Sequence, residues 1–186
     1  RLRCDWSSDV CSSDLRIMSQ ITLYGGPASF YTGRARSYLI KAGLAYREVV
    51  PNTRHYAETV LPKAGGRRGI PTIETETGEV IRDGAAIIDH YEAMNGHRFS
   101  PTTPKQRVVS RLFDVIGAEG LLRPGLHYRW NFPAENHEWL VFQFGGAIPN
   151  FVNREAKTKM TEMAMKRASM AGYLWGAQPH AFKVIE

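Results

Sequence analysis

The stretch RRGIPTIETETGEVIRDGAAIIDHYE, residues 67–92, carries three different backbone instructions in succession. Ile70–Thr75 and Glu79–Arg82 are short β-prone runs on either side of Thr77-Gly78, the pattern of a β-hairpin. Asp83 then offers a carboxylate to cap a helix over Gly84–Met94, and Asn95-Gly96 closes it. Pro71 stands at the mouth of the first strand, where it removes a ladder donor. It is either an ordinary trans proline at a strand start or a cis proline that turns the chain and leaves the backbone groups of Ile70 free.

Working outward toward the N-terminus, Ile21–Tyr24 is a strand-like run stopped by Gly25-Gly26-Pro27. From Phe30 to Ala42, the residues Ala35, Tyr38, Leu39 and Ala42 follow helical spacing, and Gly43 supplies the left-handed stop. Ala45–Val50 alternates as a strand up to Pro51, Asn52–Leu61 reads as a short helix, and Gly65–Gly69 as a loop. This order gives a compact α/β unit in which a crossover and a hairpin share one sheet.

Toward the C-terminus, Ser100-Pro101 and Thr103-Pro104 mark His97–Gln106 as a linker. The pattern then turns helical. Val108, Leu112, Val115 and Ile116 form an apolar stripe flanked by Arg107 and Arg111. A second long helix over Asn153–Leu174 carries Met160, Met163, Ala164 and Met170. Between them, Tyr128, Trp130, Phe132, Trp139, Phe142 and Phe144 are read as core, with the wall of a substrate pocket as the second reading.

Composition bounds the function. The chain has 186 residues, 43% hydrophobic and 23% charged, with a net charge of +6, which describes a globular protein. Acidic residues are interspersed and no Lys/Arg block occurs, so the charge reads as a mildly basic surface rather than a nucleic-acid site. A basic site for a small anion is the second reading. No apolar run reaches the roughly 20 residues of a membrane span. The two cysteines are Cys4 and Cys11. The body of the chain therefore has no disulfide framework, Cys-x-x-Cys pair or thiolate metal site, which fits a cytoplasmic setting. The six histidines lack metal-ligand spacing, and no glycine-rich phosphate loop is present. Residues 1–17 contain the near-repeat SSDVC/SSDL without the apolar core of a signal peptide. They look like a translated sequencing adapter joined to a gene fragment, are expected to be disordered, and leave Met18 as the natural start.

Three pieces in this order resemble the glutathione S-transferase superfamily: LYGGPASFYTGRARSYLIKAGLAY (23–46), RRGIPTIET (67–75) and EVIRDGAAIIDHYE (79–92). The resemblance implies an α/β thioredoxin-like domain with a mixed four-stranded sheet, followed by an all-helical domain. The expected division is 18–97 for the first domain, 98–106 for the linker and 107–186 for a helical domain cut short. It also implies a cytoplasmic homodimer that uses glutathione as co-substrate, no metal, and a small-molecule electrophile, with no nucleic-acid or membrane partner.

Residue by residue, the resemblance implies that Pro71 is cis and that the backbone of Ile70 pairs with the cysteinyl backbone of glutathione. Asp83 receives the γ-glutamyl ammonium, and Arg68, beside Arg67, contacts a carboxylate. Gly84 stands where the family has Ser or Thr, so a backbone N–H alone is left for the γ-glutamyl carboxylate. The serine branch pattern S-P-x-x-x-R/K-x-R places Ser29 at the thiol, with Arg34 and Arg36 as the basic pair and Phe30 in place of the proline. Tyr24 is the runner-up, and Thr32 reads as a cap. Ser29 would act as a hydrogen-bond donor to a thiolate, with no general base required. Gly84 and Phe30 support the competing reading of a non-catalytic binding module. Reduction through a mixed disulfide needs a cysteine where Ser29 stands.

Overall fold

The structure is a computed structural model that describes residues 20–178 together with 181 and 183. The expectations for residues 1–17 lie outside them. The first domain runs β1 (Ile21–Tyr24), α1 (Phe30–Ala42), β2 (Tyr46–Val49), a single π turn (Tyr56–Val60) leading into α2 (Leu61–Lys63), β3 (Thr72–Glu74), β4 (Val80–Arg82) and α3 (Gly84–Met94). The strand order is β2-β1-β3-β4. β1 and β2 are parallel, joined by the α1 crossover. β3 lies antiparallel to β1, and β4 antiparallel to β3. This is the mixed four-stranded, thioredoxin-like sheet expected from the sequence.

The register follows from burial. β1 is central, and all four of its residues are buried. Ile21 and Leu23 join Ala35, Leu39, Ile73, Ile87 and Tyr91 in the core beneath α1 and α3. Tyr24 packs on the other face with Tyr56 and Val60. Gly43 closes α1 at φ 69°, its N–H bonding to the carbonyl of Ile40. Asp83 caps α3. The helix expected over Asn52–Leu61 starts later, because Thr53 accepts from the N–H of Tyr56. Asn52 is drawn away, its side-chain amide donating to the carbonyl of Gly146 at 2.8 Å.

The second region is helical: α4 (Pro104–Val115), a π turn (Ile116–Gly120), α5 (Leu122–Trp130), α6 (Pro133–Ala147) and α7 (Arg154–Leu174). Thr103 caps α4 and Pro104 sits in its first turn, so the last residues of the expected linker are already helix. Asn153 caps α7. Two expectations about packing need correction. The α4 stripe of Val108, Leu112, Val115 and Ile116 is exposed, as are Tyr128, Trp139 and Phe142. Among the described residues no further layer covers those faces. Leu122 and Leu126 of α5 instead form a small core with Ala177, flanked by Tyr31 of the first domain.

Candidate functional site

A cavity of about 310 Å³ lies between the two domains, with Ser29, Tyr31 and Ile70 on one wall and Arg129, Phe144 and Trp175 on the other. Phe144 thus belongs to the pocket, the second of the two readings given to the aromatics.

The near wall is built by the turn between β1 and α1. Gly25 permits it: a Cβ there would lie 2.2 Å from Cγ2 of Thr32. Thr32 is fully buried beneath the turn, and its hydroxyl has no hydrogen-bond partner among the described residues. It is therefore not the cap, as expected from sequence. Ser29 is the cap, its Oγ accepting from the N–H of Thr32 at 3.1 Å. A hydroxyl that accepts at a cap still has its proton to give. In addition, the N–H groups of Phe30 and Tyr31 in the first turn of α1 make no hydrogen bond among the described residues. The helix end thus presents open donors beside a free hydroxyl.

Tyr24 is placed elsewhere. Its hydroxyl donates to Glu74 Oε2 at 3.1 Å, and its ring tilts against Tyr56 at 5.0 Å. Burial, then the Glu74 carboxylate, push its pKa far above the ordinary phenol value. The expected basic pair is also engaged in other contacts. Arg36 holds Glu48 of β2 with two bonds of 2.6 and 2.7 Å. Arg34 pairs with Asp114 of α4 at 2.9 Å. These two arginines fasten α1 to its neighbours.

The Ile70–Pro71 bond is cis. Ile70 is exposed on the cavity wall, and neither its N–H nor its C=O is hydrogen-bonded among the described residues. That leaves a short unpaired edge able to accept an extended peptide. Behind it, the carbonyl of Pro71 accepts from the N–H of Asp83 at 3.1 Å. Asp83 sits at φ 85°, ψ 135°, a strained region for a residue with a side chain. One of its oxygens caps Ala85 and Ala86 at 2.8 and 3.4 Å. The N–H of Gly84 remains unbonded among the described residues. Arg67 and Arg68 are exposed on the loop before it, and neither forms an ion pair among the described residues.

Two residues that sequence reasoning did not single out complete the site. The ring tip of Phe30 lies against Gly125 of α5, where an added Cβ would meet Phe30 Cζ at 2.7 Å. One helical turn on, the Arg129 guanidinium covers the same ring at 4.3 Å from its centroid and donates to the carbonyl of Ala28. Phe30, which replaces the family's proline, is therefore an interdomain contact. No local pattern marks Arg129. The one available signal was Gly125 followed four residues later by a cation on a single helix face.

Among the described residues no cluster of three or more His, Cys, Asp or Glu could hold a metal, and no helix is long and apolar enough to cross a membrane.

Residues 23–99 match the glutathione S-transferase N-terminal domain model. The match covers the thioredoxin-like domain, which is thus similar to the N-terminal domain of glutathione S-transferases. The chain is similar to an omega glutathione transferase of Trametes versicolor, at 18% identity and TM-score 0.40, covering 80% of this chain and 58% of that one. It is similar to a tau class transferase of mango, Mangifera indica, at 15% identity and TM-score 0.47, covering 91% and 94%. It is also similar to a theta class transferase of Xanthomonas axonopodis pv. citri solved with glutathione, at 17% identity and TM-score 0.38, covering 81% and 69%. No curated protein matches the chain.

Proposed function

We propose that the chain acts as a glutathione transferase, joining the glutathione thiolate to an electrophilic carbon of a small molecule. The carrying observation is Ser29: a cap whose proton is uncommitted, at an open helix end, on the wall of an interdomain cavity. A thiol of ordinary pKa about 8.5 has to ionise near neutrality, and each unit of lowering corresponds to about 1.4 kcal/mol. A hydrogen bond to a charged sulfur contributes about 1.5–3 kcal/mol and a helix end about 0.3–1 kcal/mol. Together these lower the thiol pKa by about one to three units, which suffices without a general base.

In this reading glutathione lies along the unpaired edge at Ile70, held in line by Pro71. Its ammonium meets Asp83, its γ-glutamyl carboxylate meets the N–H of Gly84, and Arg68 faces a carboxylate. The sulfur then attacks carbon, the C–S bond forms, and the leaving group departs with its electron pair. Tyr24, the runner-up from the sequence, lies off the cavity with its hydroxyl on Glu74 and takes no part in this reading. The exposed α4 stripe supports a homodimer, to be checked by the concentration dependence of the sedimentation coefficient; a monomer at all concentrations removes that part.

The test is calorimetric titration with glutathione, together with the thiolate absorbance of the complex across pH. Ser29→Ala loses both the thiolate donor and about 1 kcal/mol of capping, whereas Ser29→Gly gives up only a few tenths of the latter. Both variants are expected to raise the bound thiol pKa by about one unit or more. No binding of glutathione by the intact chain would sink the transferase reading. An unchanged thiol pKa in Ser29→Gly would transfer the role to the backbone donors of the first turn of α1. Gly84, which lacks the family's hydroxyl, favours a second reading as a non-catalytic module, and glutathione binding without turnover would select it.

A further inference from the structure

Arg129 is the one charged side chain among the residues that line the interdomain cavity. Its guanidinium touches the Phe30 ring and the Ala28 carbonyl, and no carboxylate pairs with it among the described residues. A guanidinium carries five donors in a fixed fork, and the bond to Ala28 uses one of them. The neighbouring arginines show the contrast: Arg34, Arg36 and Arg111 each hold an acidic partner within 3 Å. Around Arg129 the lining is apolar, with Ser29, Tyr31 and Gln143 as the polar exceptions. Burial without a counter-charge pushes its pKa below that of an ordinary guanidinium. A half-desolvated cation beside an apolar surface favours a ligand that brings an apolar body and an anionic end.

We propose that Arg129 is a specificity-determining residue that binds the carboxylate of the electrophile, so that the preferred substrates are small, apolar, carboxylate-bearing electrophiles. This rests on the transferase reading for the reaction, but the anion site stands on the cavity alone. With 4-chloro-3,5-dinitrobenzoate, the glutathione thiolate would attack the carbon bearing chlorine. The C–S bond forms, the C–Cl bond breaks, and chloride leaves with the electron pair. The thiol proton has already passed to solvent, and the carboxylate stays on Arg129 throughout.

The test has a binding arm and a turnover arm, both on the full chain. In the first, the unreactive 3,5-dinitrobenzoate and its methyl ester are titrated without glutathione into the intact protein, Arg129→Gln and Arg129→Lys. The intact protein is expected to prefer the carboxylate by about tenfold. Arg129→Gln is expected to lose that preference, and Arg129→Lys to keep part of it. Equal affinity for acid and ester in the intact protein would overturn the proposal whether or not the variants fold. So would a preference that survives in Arg129→Gln. In the second arm, kcat/KM is compared for 4-chloro-3,5-dinitrobenzoate and its methyl ester, and the same preference is expected. A carboxylate preference in binding with no turnover would refute the transferase reading and leave the anion site standing.

Discussion

Gly84 gives up a side chain at a point where the space for one is still present. A Cβ there would meet the carbonyl oxygen of Tyr31 at 3.5 Å, Cδ of Arg34 at 3.6 Å and Cγ of Pro71 at 3.7 Å, all ordinary contacts. Gly84→Ser should therefore fold and offer a hydroxyl beside the free N–H, tightening glutathione binding by about tenfold. Gly84→Ala should gain about 0.5–1 kcal/mol of stability, as glycine is poor in a helix, without that tightening. Titrating both variants checks the point: equal tightening in the two would show that the hydroxyl is not responsible. Single residues were legible where their job is local. Asp83 as a cap and Gly43 as a stop follow from neighbours in sequence. The cap expected at Thr32 is Ser29, which also lines the cavity. Thr32 is held under Gly25 by a close approach that no one-dimensional pattern shows. Arg129 acts on Ala28, one hundred and one positions away, so its role is wholly tertiary.

At the scale of elements, the end of α3 is tied to the chain that leads into α4 through one buried carboxylate. Glu92 is 3% exposed and accepts from Ser100 Oγ at 2.6 Å, the Tyr38 hydroxyl at 2.8 Å and the N–H of Phe99 at 3.1 Å. Burial by itself raises its pKa. The hydrogen bonds from Ser100, Tyr38 and Phe99 outweigh that and hold it below the usual carboxylate value. A folded pKa below the unfolded one means that the native state binds fewer protons. The stabilisation is thus fully present above about pH 4.3 and is lost as pH falls through the folded value. Glu92→Ala should cost about 3 kcal/mol near neutral pH, since three donors lose their acceptor. Urea unfolding of both proteins at about pH 7 and about pH 3 should show the gap narrowing in acid; a constant gap would contradict the assignment. Sequence reading found α1, α3 and the hairpin because their caps and turn glycines are local signals. It placed the helix after β2 too early because Asn52 bonds to Gly146, a partner that sequence does not display. It also extended the linker over Pro104, which starts a helix as readily as it breaks one.

For the whole molecule, the seam between domains decides whether a site exists at all. It includes Phe30 on Gly125 and Arg129, Asn52 on Gly146, and the pairs Arg34–Asp114 and Arg111–Asp89. Half-exposed ion pairs contribute little each, so the packing of Phe30 is the sensitive point. Gly125→Ala would force Phe30 out from under Arg129 and should destabilise by about 1–3 kcal/mol. Phe30→Leu in the same chain should recover part of that loss in thermal unfolding, whereas additive losses would show that the two residues are not coupled. The apolar stripe of α4 illustrates what sequence leaves open at this scale. Periodicity established that Val108, Leu112, Val115 and Ile116 share a face, but the identity of what that face meets is a property of assembly.

Trp175 gives the cavity an optical reporter. Among the described tryptophans it alone lines the space between the domains, on the wall with Arg129, while Trp130 and Trp139 lie outside it. A nitroaromatic guest entering there would quench Trp175 emission at close range. Occupancy could then be followed in the unlabelled chain, with Trp175→Phe as the dark control, before any product is formed.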